Sequence, residues 1–239
     1  MDKEQFVTAL AEKGIQLTKE QLEQFAAYYR LLVEWNEKMN LTAITDEREV
    51  YNKHFFDSIS GAFYFPFDTV NSVADIGGGA GFPSIPLKIC FPHLQMTVID
   101  SLNKRMTFLA HVGKELGLTG FTPTHARAEE AGQNPKLRES FDLVTARAVA
   151  RLNLLAEFCI PFVRVGGTFL AMKGAGASIE LAEAKKAIKL LGGKTQKVET
   201  FELPEDAGER TIIIVQKQDP TPKTYPRKPG IPAKKPILS

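Results

Sequence analysis

The first seventy residues carry hydrophobic side chains at helical spacing. A capping-box pattern at residues 18–21 is followed by one apolar stripe of a long amphipathic helix. A second helix start lies at residues 46–49 and predicts a helix that continues through His54 towards Ser58. The short stretch between the two, residues 40–44, shows no clear period. The pattern therefore predicts a helical N-terminal region.

From residue 72 onward, short apolar runs alternate with helical patterns. Predicted strands cover residues 73–76, 96–99, 141–145, 168–172 and 212–215, and predicted helices lie near residues 104–116, 153–164 and 178–191. This alternation predicts right-handed crossovers and a mainly parallel sheet. The last unit, residues 194–201 and 210–217, has a short connection and predicts an antiparallel hairpin. We therefore expect a doubly wound, Rossmann-like α/β fold.

The composition excludes several classes of protein. The chain has 239 residues, 44% of them hydrophobic and 24% charged, as in ordinary globular domains. No apolar run approaches the roughly 18–20 residues of a membrane span, and the N-terminus shows no signal region, so we expect no membrane partner. Cys90 and Cys159 lie in apolar surroundings, which favours reduced thiols in a cytoplasmic protein.

The formal net charge of +2 hides an uneven distribution. Residues 1–72 carry a net charge of −5, residues 73–216 carry +2 and residues 217–239 carry +5. We predict an N-terminal helical extension packed on the main domain (1–71), a ligand-binding domain (72–217) and a basic, proline-rich C-terminal arm (218–239). Six of the fourteen prolines lie in the last twenty residues, and they predict an extended arm or a disordered tail.

A glycine-rich loop at residues 75–83 follows the first strand of the α/β region. Gly77, Gly79 and Gly81 allow a tight turn and the close approach of a ligand. The dinucleotide fingerprint is incomplete, because its third glycine is replaced by Phe82, and the Walker pattern is absent. This disfavours an NAD-dependent oxidoreductase. The remaining pattern, D-x-G-x-G-x-G, is the loop of S-adenosylmethionine sites.

Two further sites agree with an adenosine ligand. Asp100 ends the second strand, where a carboxylate accepts hydrogen bonds from ribose hydroxyls, and the alternative, a cap of the next helix, is less favoured. Beyond the helix predicted near residues 104–116, the turn at Ala128 and Glu129 could read an adenine edge or could be an exposed first helical turn. Neither feature by itself distinguishes S-adenosylmethionine from NAD.

Seven segments in one order resemble a known family. Together they are similar to the ribosomal RNA small subunit methyltransferase G family, also called glucose-inhibited division protein B, from about residue 20 to the C-terminus. Gly78 and Ser84 depart from residues that are common in the family. The segments are residues 40–44, 54–58, 75–83, 100–105, 127–129, 145–149 and 225–230.

The resemblance implies a class I methyltransferase fold, S-adenosyl-L-methionine as the methyl donor and 16S ribosomal RNA or the small ribosomal subunit as partner. The implied product is N7-methylguanosine in the 530 loop, at nucleotide 527 in the usual rRNA numbering. Asp100 is expected at the ribose. The residues that the resemblance places at the cofactor, with the loop glycines, are Gly77, Gly79, Gly81, Phe82, Ala128, Glu129 and Arg147.

Methylation of guanine N7 needs no general base, because N7 already carries an in-plane lone pair. We therefore assign no catalytic acid or base and expect catalysis by positioning. His54, on an apolar helix, is interpreted as structural. The other histidines show no metal-ligand spacing with the cysteines, so we expect no metal.

RNA binding is argued from charge, because no common RNA-binding motif is present. The acidic N-terminal region is expected to support the sheet, with residues 40–44 roofing the cofactor. We expect a monomer in which deletion of residues 220–239 weakens RNA binding and leaves cofactor binding intact. An RNA-binding assembly factor without activity and a methyltransferase for another RNA or a small molecule remain alternatives. The candidate RNA-binding cations are Lys104, Arg105, Arg147, Lys173, Arg227 and Lys228.

Overall fold

A seven-stranded sheet forms the centre of the molecule in a computed structural model that describes residues 1–238. The strand order is β3-β2-β1-β4-β5-β7-β6, and β7 runs antiparallel to both of its neighbours, whereas the other pairs are parallel. The predicted parallel sheet with an antiparallel hairpin is confirmed. The strands are β1 (Ser72–Ile76), β2 (Gln95–Asp100), β3 (Phe121–His125), β4 (Phe141–Arg147), β5 (Val163–Lys173), β6 (Gly193–Glu202) and β7 (Glu209–Lys217).

Helices lie before the sheet, between its strands and after it. A π-helical stretch, Val50–Phe56, connects α3 and α4, and short 3₁₀ turns cover Ser60–Phe63, Phe67–Thr69 and Ile160–Phe162. The α-helices are α1 (Lys3–Glu12), α2 (Lys19–Met39), α3 (Glu47–Glu49), α4 (Asp57–Ile59), α5 (Ser84–Cys90), α6 (Asn103–Glu115), α7 (Ala128–Ala131), α8 (Leu152–Cys159), α9 (Ala177–Leu190) and α10 (Ile231–Lys234).

The two faces of the sheet bury separate hydrophobic cores. Successive strand residues point to opposite faces, so Leu143 joins one core and Val144 the other. One core is shared with the N-terminal helices and with α5 and α6, and the second core lies under α8 and α9. Strands buried on both faces read as continuous apolar runs, which explains why the sequence pattern located them.

The N-terminal helices begin where their caps predict. Thr18 and Gln21 form the predicted capping box of α2, and the side chain of Asp46 accepts a hydrogen bond at the start of α3. Inside the core, the Tyr28 hydroxyl donates to the carbonyl of Ala80 at 2.6 Å. This hydrogen bond ties the N-terminal region directly to the glycine loop.

One predicted helix is shorter than expected. The pattern predicts a helix over residues 153–164, but α8 ends at Cys159 and β5 already begins at Val163. Pro161, within the connecting 3₁₀ turn, has no N–H to donate to a further helical turn. The apolar residues after Cys159 therefore belong to a turn and a strand, which hydrophobicity alone does not separate from a helix.

The C-terminal segment packs against the body of the molecule instead of extending away from it. The guanidinium group of Arg138 donates to the carbonyls of Thr221 and Tyr225 at 2.8 and 2.6 Å. The side chain of Thr221 is buried, and its hydroxyl donates to the carbonyl of Leu191. Prolines that exclude regular structure are thus compatible with an ordered path whose carbonyls are bonded by side chains.

Candidate cofactor and substrate cavities

A first cavity of about 510 Å³ opens at the carboxyl ends of β1, β2 and β4. Gly77 follows β1, Asp100 ends β2, and Glu129 lies on α7 just after β3. The loop that follows β4, residues 148–150, forms another side, and Gly230 belongs to the C-terminal segment. Its volume falls within the roughly 300–1,000 Å³ of small-molecule sites.

Backbone conformation brings the glycine loop close to this cavity. Gly77 has a φ of +74°, and a Cβ atom built on it would lie 2.7 Å from Cγ2 of Val149. The Gly79 N–H donates to Asp100 Oδ2 at 3.2 Å. The glycine at position 77 is therefore required both by its left-handed conformation and by the close approach of the loop after β4.

Asp100 is a buried carboxylate that is only 4% exposed. Its Oδ1 accepts from the Leu102 N–H at 2.9 Å, and its Oδ2 accepts from Arg105 Nη1 at 3.0 Å. Arg105 thus stabilises the negative charge of Asp100 at the wall of the cavity. Each carboxylate oxygen has two lone pairs, so Asp100 retains capacity for a ligand hydroxyl.

A second cavity of about 310 Å³ adjoins the first, and Ala148 lines both. Its charged residues come from three parts of the chain: the N-terminal helical region, the ends of β4 and β5, and the start of β7. Four cations and one carboxylate line this cavity, and Glu49 and Glu180 pair with Lys53 and Lys173 beside it, which leaves a small excess of positive charge that favours anions. The charged residues are Lys53, Asp57, Arg147, Lys173 and Arg210.

Asp57 organises the cations of the second cavity. Its Oδ2 lies 3.0 Å from Arg147 Nη1 and 3.1 Å from Arg210 Nε, and its side chain is 7% exposed. The Arg147 guanidinium also lies 5.0 Å from the centre of the Phe82 ring, within the range of a cation–π contact. The two arginines are therefore held in fixed orientations.

His54 contacts both Phe82 and Arg147. Its ring stacks on Phe82 with centroids 4.4 Å apart, and its Nε2 lies 2.8 Å from the hydroxyl of Thr42. Its Nδ1 lies 3.2 Å from the Lys53 carbonyl oxygen and 3.3 Å from Arg147 Nη2. Burial, and then the charge of Arg147, lower the pKa of His54 to about 3. His54 is therefore neutral at physiological pH.

Asp75, on β1 just before the glycine loop, is a buried acid whose pKa is shifted upward, in the direction opposite to that of His54. Burial raises its pKa to about 7, against the lowering effect of hydrogen bonds from Ser84. A raised carboxyl pKa stabilises the folded state at low pH, and this contribution is lost as pH rises from about 4 to about 7. The lowered pKa of His54 stabilises the folded state above about pH 6.5, and this contribution is lost as pH falls towards 3.

We predict that the contributions of Asp75 and His54 to the unfolding free energy offset each other between about pH 4 and pH 6.5. Single variants should separate the two contributions. Relative to the native chain, Asp75→Asn should give an unfolding free energy that rises with pH, and His54→Gln one that falls with pH. Each slope should approach about 1.4 kcal/mol per pH unit. Denaturant unfolding at several pH values measures both, and parallel curves for all three proteins would contradict the assignment.

The structure brings together only part of the predicted cofactor residues. Gly77, Asp100, Ala128 and Glu129 line the first cavity. Gly79 contacts the site through its bond to Asp100, and Gly81 packs against Ile85 and Tyr28. Phe82 and Arg147, which were also expected at the cofactor, instead lie on the side of the second cavity.

The predicted RNA-binding cations are also divided. Lys173 lines the second cavity and donates to the Ala150 carbonyl and to Glu180, both at 2.8 Å. Arg105 is paired with Asp100 in the first cavity. Lys104 and Lys228 are exposed outside both cavities. Arg227 is bound to the buried carboxylate of Glu157, so its position suits an anchor within the protein better than a phosphate ligand.

The N-terminal region takes a larger part in the site than expected. It was expected to support the sheet and to roof the cofactor with residues 40–44. Instead Ile44 lines the second cavity, together with Lys53, His54 and Asp57. The residues that line the first cavity thus come from parts of the chain other than residues 40–44.

Sequence reasoning also overlooked Asp57 and Arg210. Asp57 lies inside a segment that resembles the family, but its residue type alone shows no role. Arg210 could have been placed, because an antiparallel last strand has its amino end at the edge where the parallel strands end. Pairing of Lys173 with Thr211 confirms that placement.

No helix among residues 1–238 has the length and the apolar composition needed to cross a membrane. Within the same residues, no group of three or more histidine, cysteine, aspartate or glutamate side chains is arranged to hold a metal ion. Both described cysteines, Cys90 and Cys159, are free thiols.

The strand order and the cavity at the carboxyl edge define the fold of a Rossmann-like, class I methyltransferase. A solved structure from Klebsiella pneumoniae, described as an O-methyltransferase, has this fold, with a TM-score of 0.56 and 10% identity over 80% of this chain and 90% of that one. Sequence comparison is more specific. A family model for rRNA small subunit methyltransferase G matches residues 21–212, and the chain belongs to that family.

Relatives match the chain over its whole length. The ribosomal RNA small subunit methyltransferase G of Brevibacillus brevis is 70% identical over 238 residues, which cover 100% of both chains. The protein with the same name from Geobacillus sp. is 59% identical over 237 residues, or 99% of this chain and 100% of that one.

Proposed function

We propose that this protein transfers a methyl group from S-adenosyl-L-methionine to N7 of a guanosine in 16S ribosomal RNA, at nucleotide 527 in the 530 loop. The observation that supports this best is the pair of adjoining cavities in a member of this methyltransferase family. One has the size and the carboxylates of a nucleoside site, and the other is cationic. A reaction between two ligands requires such an arrangement.

The residues of the first cavity fit the methyl donor. Asp100 and Glu129 are buried carboxylates at its wall, and they suit the ribose hydroxyls and the amine of an adenosine. Gly77 leaves room because it has no side chain, and Ala128 completes this side of the cavity. Bound there, S-adenosylmethionine supplies an electrophilic sulfonium methyl group.

The second cavity fits a nucleotide of the acceptor. Guanine presents two acceptor atoms, N7 and O6, on one edge. A hydrogen bond from Arg147 or Arg210 to O6 leaves the lone pair of N7 free for methyl transfer. Of the other two cations of this cavity, Lys53 is 34% exposed and suits a phosphate beside the target base, whereas Lys173 is 10% exposed and paired with Glu180.

The protein then acts by positioning. Because N7 attacks without losing a proton, no side chain has to serve as a base. Neutral His54 lies against Arg147 without adding a positive charge, and Asp57 fixes both arginines. Holding the nucleophile in line with the methyl group supplies most of the rate enhancement.

We further propose that the reaction takes place in the cytoplasm and involves a monomer. The proposed substrate is ribosomal, and the described cysteines are unpaired, as in reducing compartments.

Transfer of tritiated methyl groups to small-subunit RNA that lacks the modification tests the proposed function. Naked RNA and assembled subunits should be compared, followed by nuclease mapping and chemical cleavage at N7-methylguanosine. We expect label at N7 of one guanine in the 530 loop. Binding without any label would favour an assembly factor, and label on another RNA or atom would overturn the assignment.

A further inference from the structure

The C-terminal segment forms a wall of the first cavity. Gly230 and Ala233 line this cavity beside Glu129. The Gly230 N–H donates to Glu129 Oε1 at 3.3 Å, and Gly230 adopts a left-handed conformation, with a φ of +81°, at the start of α10. A segment that sequence analysis assigned to RNA binding thus lies against the proposed methyl donor.

A buried ion pair holds this segment in place. Glu157, on α8, has a side chain that is only 1% exposed. Its Oε2 accepts from Arg227 Nη2 at 2.6 Å, and its Oε1 accepts from the Nε and the backbone N–H of Arg227, both at 2.9 Å. A buried carboxylate without such compensation is costly, so Glu157 strongly favours the docked position of Arg227.

Further contacts join residues 225–226 to the end of α7, the helix that carries Glu129, and to the residues that follow it. The Gln133 side chain donates to the Pro226 carbonyl at 2.9 Å, and Arg138 donates to the Tyr225 carbonyl. A Cβ atom on Gly132 would lie only 2.8 Å from the Pro226 ring. The end of α7 and the C-terminal segment are therefore in direct contact.

We propose that residues 225–234 belong to the S-adenosylmethionine site and that docking of this segment and binding of the cofactor stabilise each other. The inference rests on the proposed function for the identity of the ligand. The Arg227–Glu157 pair keeps Gly230 and Ala233 at the cavity, and Gly230 orients the Glu129 carboxylate. If only a fraction of molecules has the segment docked, the apparent affinity falls by that fraction.

Variants of the anchor test the proposal. Arg227→Ala should raise the Kd and the KM for S-adenosylmethionine at least ~10-fold, while kcat at saturating donor changes less than ~3-fold. Arg227→Lys should recover part of the affinity, because it restores the charge. The matched control is Lys223→Ala, which removes an exposed cation of the same C-terminal arm outside residues 225–234 and outside both cavities and should leave cofactor affinity unchanged.

A second variant leaves the ion pair intact. Ala233 is exposed at the cavity wall, so Ala233→Trp should fold normally and should also weaken cofactor binding. If Arg227→Ala does not fold, this variant still decides the question. Cofactor affinity within 2-fold of the native chain in folded Arg227→Ala, or in Ala233→Trp, would overturn the proposal.

Hydrogen exchange distinguishes failure of this proposal from failure of the proposed function. In the native chain, S-adenosylmethionine should slow amide exchange in residues 225–234, because the two events are reciprocally coupled. Cofactor binding without slower exchange there would overturn the inference and leave the function standing. Absence of cofactor binding by the native chain would overturn the proposed function, and the inference with it.

Discussion

The substitution Gly77→Val should weaken S-adenosylmethionine binding by more than ~100-fold, with the fold retained at reduced stability. Valine is β-branched and strongly disfavours the φ of +74° found there. Its side chain would also enter the space of Val149, so the loop after β4 would have to move. Calorimetric titration with the cofactor measures the loss, and circular dichroism verifies the fold.

A substitution of Gly79, in the same loop, separates the steric conflict with Val149 from the strain of a left-handed backbone. Gly79 has a φ of +59°, but a Cβ atom there would meet only the Gly77 carbonyl, at 3.8 Å. Gly79→Ala should therefore weaken binding less than ~10-fold, through strain of about 1 kcal/mol. In addition, Val149→Ala should partly restore binding to Gly77→Ala. Native affinity in Gly77→Val would show that the loop is a turn without a ligand.

The second large effect concerns the cationic cavity. Arg147→Ala should lower the rate of methyl transfer at saturating S-adenosylmethionine by at least ~100-fold and change cofactor affinity by less than ~3-fold. The reason is that Arg147 lines the second cavity and not the first. The methyl-transfer rate of Arg147→Lys should lie between the rates of the native chain and of Arg147→Ala. Lysine keeps the positive charge but lacks the planar pair of N–H donors.

A nearby arginine serves as the control for this effect. Arg151 is 61% exposed and paired with Glu183 outside both cavities, so Arg151→Ala should retain most of the activity. Filter binding of RNA and cofactor titration should accompany the rate measurements. Parallel loss of cofactor affinity and activity in Arg147→Ala would instead support the cofactor role that the family resemblance implies.

The fold was largely predictable from the sequence. Strands buried on both faces, such as β1 and β4, give short apolar runs, and Gly77 marks the end of β1. The prediction was wrong where the apolar character continues across an element boundary, as between α8 and β5. Hydrophobicity measures burial, and it does not distinguish a buried helix from a turn that leads into a buried strand.

The residues of the first cavity were easier to predict from the sequence than those of the second cavity. Gly77, Asp100 and Glu129 each lie at the end of a strand or shortly after it, and parallel strands bring their carboxyl ends to one edge. The second cavity depends on tertiary packing, because Asp57 comes from a helical region ninety residues before Arg147. No local pattern specifies that pairing, although the direction of β7 could have located Arg210.

The C-terminal segment shows a different limit. Its prolines and positive charges predicted an extended, RNA-binding arm. The partners that fix its path, Arg138 and Glu157, lie far away in sequence and show no local signal. Deletion of residues 220–239 is therefore now expected to weaken cofactor binding as well as RNA binding, in contrast to the expectation from composition.

The two adjoining cavities should hold the two reactants, which then meet at Ala148. A crystal structure of the protein with S-adenosylmethionine tests this assignment most directly. We predict that the cofactor lies in the first cavity, with its ribose at Asp100 and its methyl group directed past Ala148 towards Arg147. A cofactor bound in the second cavity would contradict this assignment. So would a cofactor in the first cavity whose methyl group points away from Arg147.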